Sequence, residues 1–330
     1  MIQKQWTVVE LIRWGSEYFG DKGVDSPRLT MELLLADVMK LSRVQLYMNF
    51  DKPLMPEELS HLRTLVKRRA RREPLQYILG TTSFYGLELE VTPAVLIPRP
   101  ETEELVDEVL RYVRLHRFSY QYEQEGAGLR IMDVGTGSGC IALALASALP
   151  NSYVIAVDVS AEALMVARRN AERLKVGNIH FVCADMLCTS IEEVARLECA
   201  FQATQEELQG IIDKPPLQND CCVVDILVSN PPYISADQMA SLQPEVGLFE
   251  PRQALTDGGD GLAFYRQLAR WSSSVRLLTA VEMGFGQRND VERLFAEHGC
   301  TTTVKNDMAG VPRMLFASSQ HSTDTMHSAA

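Results

Sequence analysis

Asp225-Ile226-Leu227-Val228-Ser229-Asn230-Pro231-Pro232-Tyr233-Ile234 is the stretch from which the fold is most directly read. The apolar run from Val223 to Val228 has the length and β-branched content of a strand buried on both faces, as in a parallel sheet. Pro231 and Pro232 then remove two backbone donors and forbid helix and ladder alike. A stiff, extended corner at the carboxyl end of the strand is expected, and in open α/β sheets ligands bind at that edge. The residue types suit a planar amide or amine. Asn230 has a side-chain acceptor oxygen and Pro231 keeps its carbonyl, so two oxygens can hold the two hydrogens of an –NH2 group. Tyr233 adds a flat face for stacking. The plain alternative is a strand that simply ends in prolines.

Upstream, a strand from Leu129 to Val134 runs into Asp133-Val134-Gly135-Thr136-Gly137-Ser138-Gly139, and a helix from Cys140 to Leu149 follows without a gap. Glycines at a strand-to-helix turn let the backbone come close to a ligand. The next strand, Tyr153 to Val157, ends in Asp158, placed to accept both hydroxyls of a ribose. A dinucleotide site is one reading of this pattern, but Cys140 stands where Gly-x-Gly-x-x-Gly needs its last glycine. Helix 161–174 and strand 179–183 lead to Asp185 and Met186 at a third strand end. They are candidates for the amino group and ring of an adenine, or else a loop acid and a core methionine.

Downstream of the corner come Phe249-Glu250-Pro251 and the loop Asp257-Gly258-Gly259-Asp260-Gly261-Leu262, which feeds a helix carrying Phe264, Leu268 and Trp271. A strand from Val275 to Val281, a helix through Val291, Leu294 and Phe295, and an antiparallel hairpin of Thr301–Val304 with Arg313–Ala317 complete the pattern.

The flanks differ in period. Residues 1–75 read as a helical bundle, with Val8, Leu11 and Ile12 on a first helix and Leu33, Leu34 and Val38 on a second. Ser26-Pro27 is expected to cap that second helix. Pro56-Glu57-Glu58 starts another, whose end, Lys67-Arg68-Arg69-Ala70-Arg71-Arg72, reads first as a solvated face and second as a patch for an acidic protein surface or RNA. Residues 76–97 read as a β-hairpin linker. Ile97-Pro98-Arg99-Pro100-Glu101-Thr102-Glu103 opens the catalytic region, 98–317, with Arg99 and Glu101 either holding the turn or facing a ligand. Residues 188–220 look inserted as a surface excursion, and 318–330 form a polar tail expected to be disordered.

Composition narrows the classes. The 330 residues are 46% hydrophobic and 23% charged, as in globular proteins. No apolar run has the ~18 residues of a membrane span. Met1-Ile2-Gln3-Lys4-Gln5-Trp6 lacks the features of a signal peptide, so a cytoplasmic location is expected. The seven cysteines form no Cys-x-x-Cys pair, which points to reduced thiols and no metal site. A net charge of −11 argues against a phosphate-gripping surface.

With these pieces placed, the chain resembles the HemK-like family of protein-glutamine methyltransferases that modify peptide chain release factors. The likeness covers roughly residues 5–317. It rests on the segment 97–103, Asp133–Gly139, Asp158, Asn230-Pro231-Pro232-Tyr233, and Phe249-Glu250-Pro251 with its glycine loop. It implies an α/β class I methyltransferase fold, a mostly parallel seven-stranded sheet with its last strand reversed, behind a small all-α N-terminal domain that docks the release factor. It implies S-adenosyl-L-methionine as cofactor and S-adenosyl-L-homocysteine as product. Gly135, Thr136, Gly137, Ser138 and Gly139 would meet the methionine part, Asp158 the ribose, and Asp185 and Met186 the adenine. Asn230, Pro231, Pro232 and Tyr233 would hold the glutamine of a Gly-Gly-Gln loop, with Asn230 also at the cofactor. The family suggests a monomer. Three rivals stand beside it: a methyltransferase for exocyclic amines of nucleic acids, which shares the corner; a dinucleotide-dependent oxidoreductase; and a non-catalytic binding module.

Overall fold

The computed structural model describes residues 5–116, 128–194 and 224–319. Most of the expected insertion, from residue 195 on, and the tail from residue 320 lie outside the described residues. In the first part of the chain, helices α1 (Val8–Asp21), α2 (Pro27–Met39), α3 (Arg43–Met48), α4 (Pro56–Ala70) and α5 (Leu75–Leu79) precede the strands β1 (Thr81–Phe84) and β2 (Leu87–Glu90). Then come α6 (Pro100–His116), β3 (Arg130–Val134), α7 (Cys140–Ala148), β4 (Tyr153–Asp158), α8 (Ala161–Leu174) and β5 (Ile179–Cys183). The rest is β6 (Val224–Ser229), α9 (Pro244–Phe249), α10 (Ala263–Trp271), β7 (Val275–Glu282), α11 (Arg288–Glu297), β8 (Cys300–Asn306) and β9 (Pro312–Ser319).

Two compact units result. One is the chain up to Thr81 together with Leu242–Phe249; the other is Thr82–Ser241 with the chain from Glu250 onward. In the helical unit, α1 starts on a capping box: the Thr7 hydroxyl accepts from Glu10 N, and the Glu10 carboxylate accepts from Thr7 N. Its apolar stripe of Val8, Leu11, Ile12 and Phe19 packs with Met31, Leu34, Leu35, Leu62 and Leu65. Ser26 does not cap α2 through its side chain as expected. It sits at φ 49°, left-handed, and Pro27 at the first helical position needs no hydrogen-bond acceptor.

The basic run at the end of α4 is a solvated face only in part: Lys67 and Arg71 are exposed, whereas the other three arginines face carboxylates. Arg68 pairs with Glu73 at 2.5 Å. Arg69 and Arg72 both pair with Glu245 of α9, at 3.0 and 2.7 Å, and Arg69 keeps only 7% of its side chain exposed. Arg72 also donates to the Gly23 carbonyl. These arginines are committed to internal carboxylates, so they are not a free patch for RNA phosphates.

The second unit holds a seven-stranded sheet in the order β5-β4-β3-β6-β7-β9-β8. Strands β3 to β7 pair in parallel; β9 runs antiparallel to both β7 and β8. This is the class I methyltransferase architecture that the family resemblance implies. Every residue of β6 is buried, including Asp225, which accepts from Arg130 N at 2.8 Å and pairs with Arg276 at 2.5 Å. Helices α6, α7 and α8 cover one face, around Leu105, Val109, Leu143 and Ala171, while α10 and α11 cover the other, around Tyr265, Leu268 and Phe295. Tyr85 and Gly86, both at positive φ, turn β1 into β2 as the expected hairpin.

The arginine pair gives a stability prediction. Glu245→Ala leaves Arg69 buried and uncompensated, which should cost about 3 kcal/mol. Urea unfolding followed by circular dichroism should show an earlier transition than wild type; an unchanged midpoint would contradict the pairing.

Candidate active site

A cavity of about 270 Å³ opens at the carboxyl ends of β3, β4, β5 and β6, the edge expected for a ligand. Its wall includes Gly135 and Gly137 after β3, Asp158 at the end of β4, Asp185 and Met186 after β5, and Asn230, Pro231 and Pro232 after β6. Residues from four strand ends, far apart in sequence, are thus gathered in one place.

The glycine loop is built by backbone. Gly135 N and Thr136 N both donate to the Val157 carbonyl at 2.9 Å. Gly135 and Gly137 adopt φ of +75° and +56°, which L side chains disfavour. Gly139 serves packing instead: a Cβ there would lie 3.1 Å from Leu143 and 3.2 Å from Ala167, so it lets α7 approach α8 closely. Thr136 and Ser138 turn inward, buried. The Thr136 hydroxyl donates to Asp133 at 2.7 Å, and the Ser138 carbonyl accepts from Asn170 at 2.9 Å. Of the five loop residues expected at the ligand, Gly135 and Gly137 form the wall while Thr136, Ser138 and Gly139 support it.

Asp158 is fixed from both sides: Gly137 N donates to one oxygen at 2.8 Å and Ser160 N to the other at 2.9 Å. Burial raises its pKa, against those amides. Asp185 accepts from Leu187 N at 2.9 Å, and Met186 is buried beside it.

At the corner, the Asn230 side-chain NH2 donates to Thr102 Oγ1 at 3.1 Å. Tyr233 belongs to the corner but not to the cavity wall. Its carbonyl accepts from Gln287 Nε2 at 2.9 Å, and its ring stands 2.9 Å from where a Cβ on Gly284 would be. Burial, with Glu282 nearby, pushes the Tyr233 hydroxyl up to about 12. Gly261, at φ +78°, comes so close that a Cβ would meet the Tyr233 carbonyl at 2.4 Å. The second glycine loop therefore clamps the corner, and Asp257 organises that loop by accepting from Gly259, Gly261 and Ala263.

Residues 10–80 match the model of the PrmC N-terminal domain, and residues 125–198 match a methyltransferase domain. The release factor glutamine methyltransferase of Geobacter sulfurreducens is 40% identical over 316 residues, covering 94% of this chain and 96% of that protein. The chain belongs to the release factor glutamine methyltransferases. The Chlorobaculum tepidum enzyme of the same name is 40% identical over 81% of each chain. A solved release factor-specific protein-(glutamine-N5) methyltransferase from Alicyclobacillus acidocaldarius is 29% identical and superposes with a TM-score of 0.35, covering 69% of this chain and 98% of its own. The class I methyltransferase domain implies use of S-adenosylmethionine. Among the described residues, no helix is long and apolar enough to cross a membrane.

Sequence reasoning missed two polar groups of this methyltransferase's site. Thr102 and Glu282 are each 1% exposed, and the Thr102 hydroxyl donates to Glu282 Oε2 at 2.6 Å. In the sequence Thr102 stands only as part of the proline-arginine-proline segment, and Glu282 directly follows the strand Val275 to Val281; an acid closing an apolar strand is the available signal. Arg99 does hold its turn, pairing with Glu250 at 2.7 Å while Glu250 also accepts from Ile97 N. Asp133 is fully buried; one carboxyl oxygen accepts from Thr136 and from Ala142 N, and the other has no partner among the described residues.

Burial pushes both Asp133 and Glu282 up to about 7, from 3.8 and 4.5. The folded state therefore binds their protons more tightly than the unfolded chain. Their contribution to stability is complete below about pH 4 and is lost as pH rises through about 7. Urea midpoints should fall between pH 5.5 and 7.5 by more in wild type than in Asp133→Asn, where the buried group cannot ionise. Equal falls in the two proteins would contradict the assignment for Asp133.

Proposed function

We propose that this enzyme transfers a methyl group from S-adenosylmethionine to the side-chain amide nitrogen of the glutamine in the Gly-Gly-Gln loop of peptide chain release factors. The observation that carries the reading is a single cavity walled by the backbone of Gly135 and Gly137, the carboxylate of Asp158 and the corner Asn230-Pro231.

The wall fits the cofactor's parts. Gly135 and Gly137 let the main chain come close to the methionine moiety, Asp158 suits the ribose hydroxyls, and Asp185 and Met186 suit the adenine. When bound, S-adenosylmethionine supplies an electrophilic methyl on a sulfonium. S-adenosylhomocysteine is the product left in the cleft.

The corner addresses the harder half of the problem. A glutamine amide nitrogen is a weak nucleophile because its lone pair is delocalised into the carbonyl. Asn230 Oδ1 and the Pro231 carbonyl accept its two N–H bonds and hold the nitrogen in line with the reacting methyl. The same two oxygens stabilise the positive charge that grows on that nitrogen, and one of its two N–H protons leaves after transfer to give the neutral N-methyl amide. Pro231 is buried and rigid, so its carbonyl needs little reorganisation. Tyr233 acts from behind the corner, through packing. The helical unit, matched to the PrmC N-terminal domain, docks the release factor. In the basic run Arg68, Arg69 and Arg72 are paired with Glu73 and Glu245, so the exposed Lys67 and Arg71 do not make a continuous patch for phosphates.

Incubation of enzyme, cofactor and purified release factor should add one methyl to one glutamine, read by mass spectrometry, with DNA left unmodified. Asn230→Ala should keep most cofactor binding and lose ~10²–10³-fold in turnover, or ~2.7–4 kcal/mol, by analogy with a lost oxyanion-hole donor. Turnover at the wild-type rate would remove Asn230 from the mechanism.

A further inference from the structure

The two ends of an asparagine amide have nearly the same shape, so packing alone does not choose which faces a ligand. At Asn230 the choice matters. The oxygen end accepts from a substrate –NH2, whereas the nitrogen end only opposes it, donor against donor.

Thr102, in the first turn of α6, stands between two partners. Its hydroxyl donates to Glu282 Oε2 at 2.6 Å, and its oxygen accepts from Asn230 Nδ2 at 3.1 Å. A hydroxyl has one proton. An ionised carboxylate can only accept, so it takes that proton and leaves the Thr102 oxygen as an acceptor. Only the NH2 end of Asn230 then makes a bond to Thr102. Glu282 is itself held in place, since it closes strand β7 and its carbonyl accepts the Tyr265 hydroxyl at 2.9 Å.

We propose that Thr102 and Glu282 are positioning residues that fix the Asn230 amide with Oδ1 toward the substrate nitrogen. The inference rests on the role given to Asn230 above. It also assigns a task to the proline-arginine-proline segment: that turn delivers Thr102 to the back of the corner.

A pH signature follows. Burial raises Glu282 to about 7, Arg313 of β9 and Arg99 oppose the rise, and Glu101 adds to it. Tyr233, Tyr265 and Cys140 also lie within reach of the Glu282 charge. A protonated Glu282 can donate as well as accept, so the forced order of donors relaxes and both amide orientations become available. The rate should therefore rise with pH as Glu282 ionises.

The test measures kcat, cofactor affinity and the pH profile for four variants, with thermal melts as the fold control. Thr102→Val removes the hydroxyl at constant shape and should lower kcat roughly tenfold, about the worth of one hydrogen bond, with cofactor affinity unchanged. Thr102→Ser should restore kcat. Glu282→Gln, if folded, should lose the acidic limb of the profile; if it does not fold, the Thr102 pair decides. Wild-type kcat in Thr102→Val beside an inactive Asn230→Ala would overturn the positioning role and leave the corner's role intact. Wild-type turnover in Asn230→Ala would overturn both.

Discussion

A strand buried on both faces cannot end wherever it likes. β6 lies between β3 and β7, every residue buried, and Pro231-Pro232 stops the ladder abruptly at the sheet's carboxyl edge. The corner that results is stiff without help from its own side chains. Its surroundings then set its orientation. The Ser229 hydroxyl donates to the Val134 carbonyl at 2.7 Å, tying the corner to the glycine loop. Ile234 N donates to the Leu255 carbonyl, and Gln287 holds the Tyr233 carbonyl. The reacting corner is thus an outcome of sheet topology, made precise by the loops around it.

The sequence segments that look most distinctive converge on this corner. The proline-arginine-proline turn supplies Thr102, whose oxygen receives the Asn230 amide. The same turn supplies Arg99, which pairs with Glu250 of the Phe-Glu-Pro segment. The second glycine loop packs Gly261 onto the Tyr233 carbonyl. None of these residues needs to touch a substrate to matter, because each restricts where Asn230 and Pro231 can be.

Legibility in the sequence followed the range of the interaction. The limits of helix 161–174 and strand 179–183, and the place of Asp158 at its strand end, are legible in the sequence because periodicity and strand-end acids are local signals. The cavity residues Gly135, Gly137, Asp158, Asn230 and Pro231 are legible as strand-end groups, and Asp185 becomes so once the family resemblance is added. The partners of Asn230 and Arg69 were not. Thr102 lies 128 residues from Asn230, and Glu245 lies 176 residues from Arg69, so no spacing rule links them. Ser26 stands at the N-cap of α2 with Pro27 after it, as the sequence suggests, but the chain enters the helix through a left-handed turn and the Ser26 hydroxyl makes no bond to the helix amides.

The central claim is that two oxygens of a proline-locked corner receive a substrate –NH2 beside the glycine-lined cleft. A crystal structure of the enzyme with S-adenosylhomocysteine and a peptide bearing Gly-Gly-Gln tests it most directly. The account requires the peptide glutamine nitrogen within hydrogen-bond distance of both Asn230 Oδ1 and the Pro231 carbonyl. A glutamine amide bound elsewhere in the cleft, with Asn230 presenting its NH2 end, would contradict it.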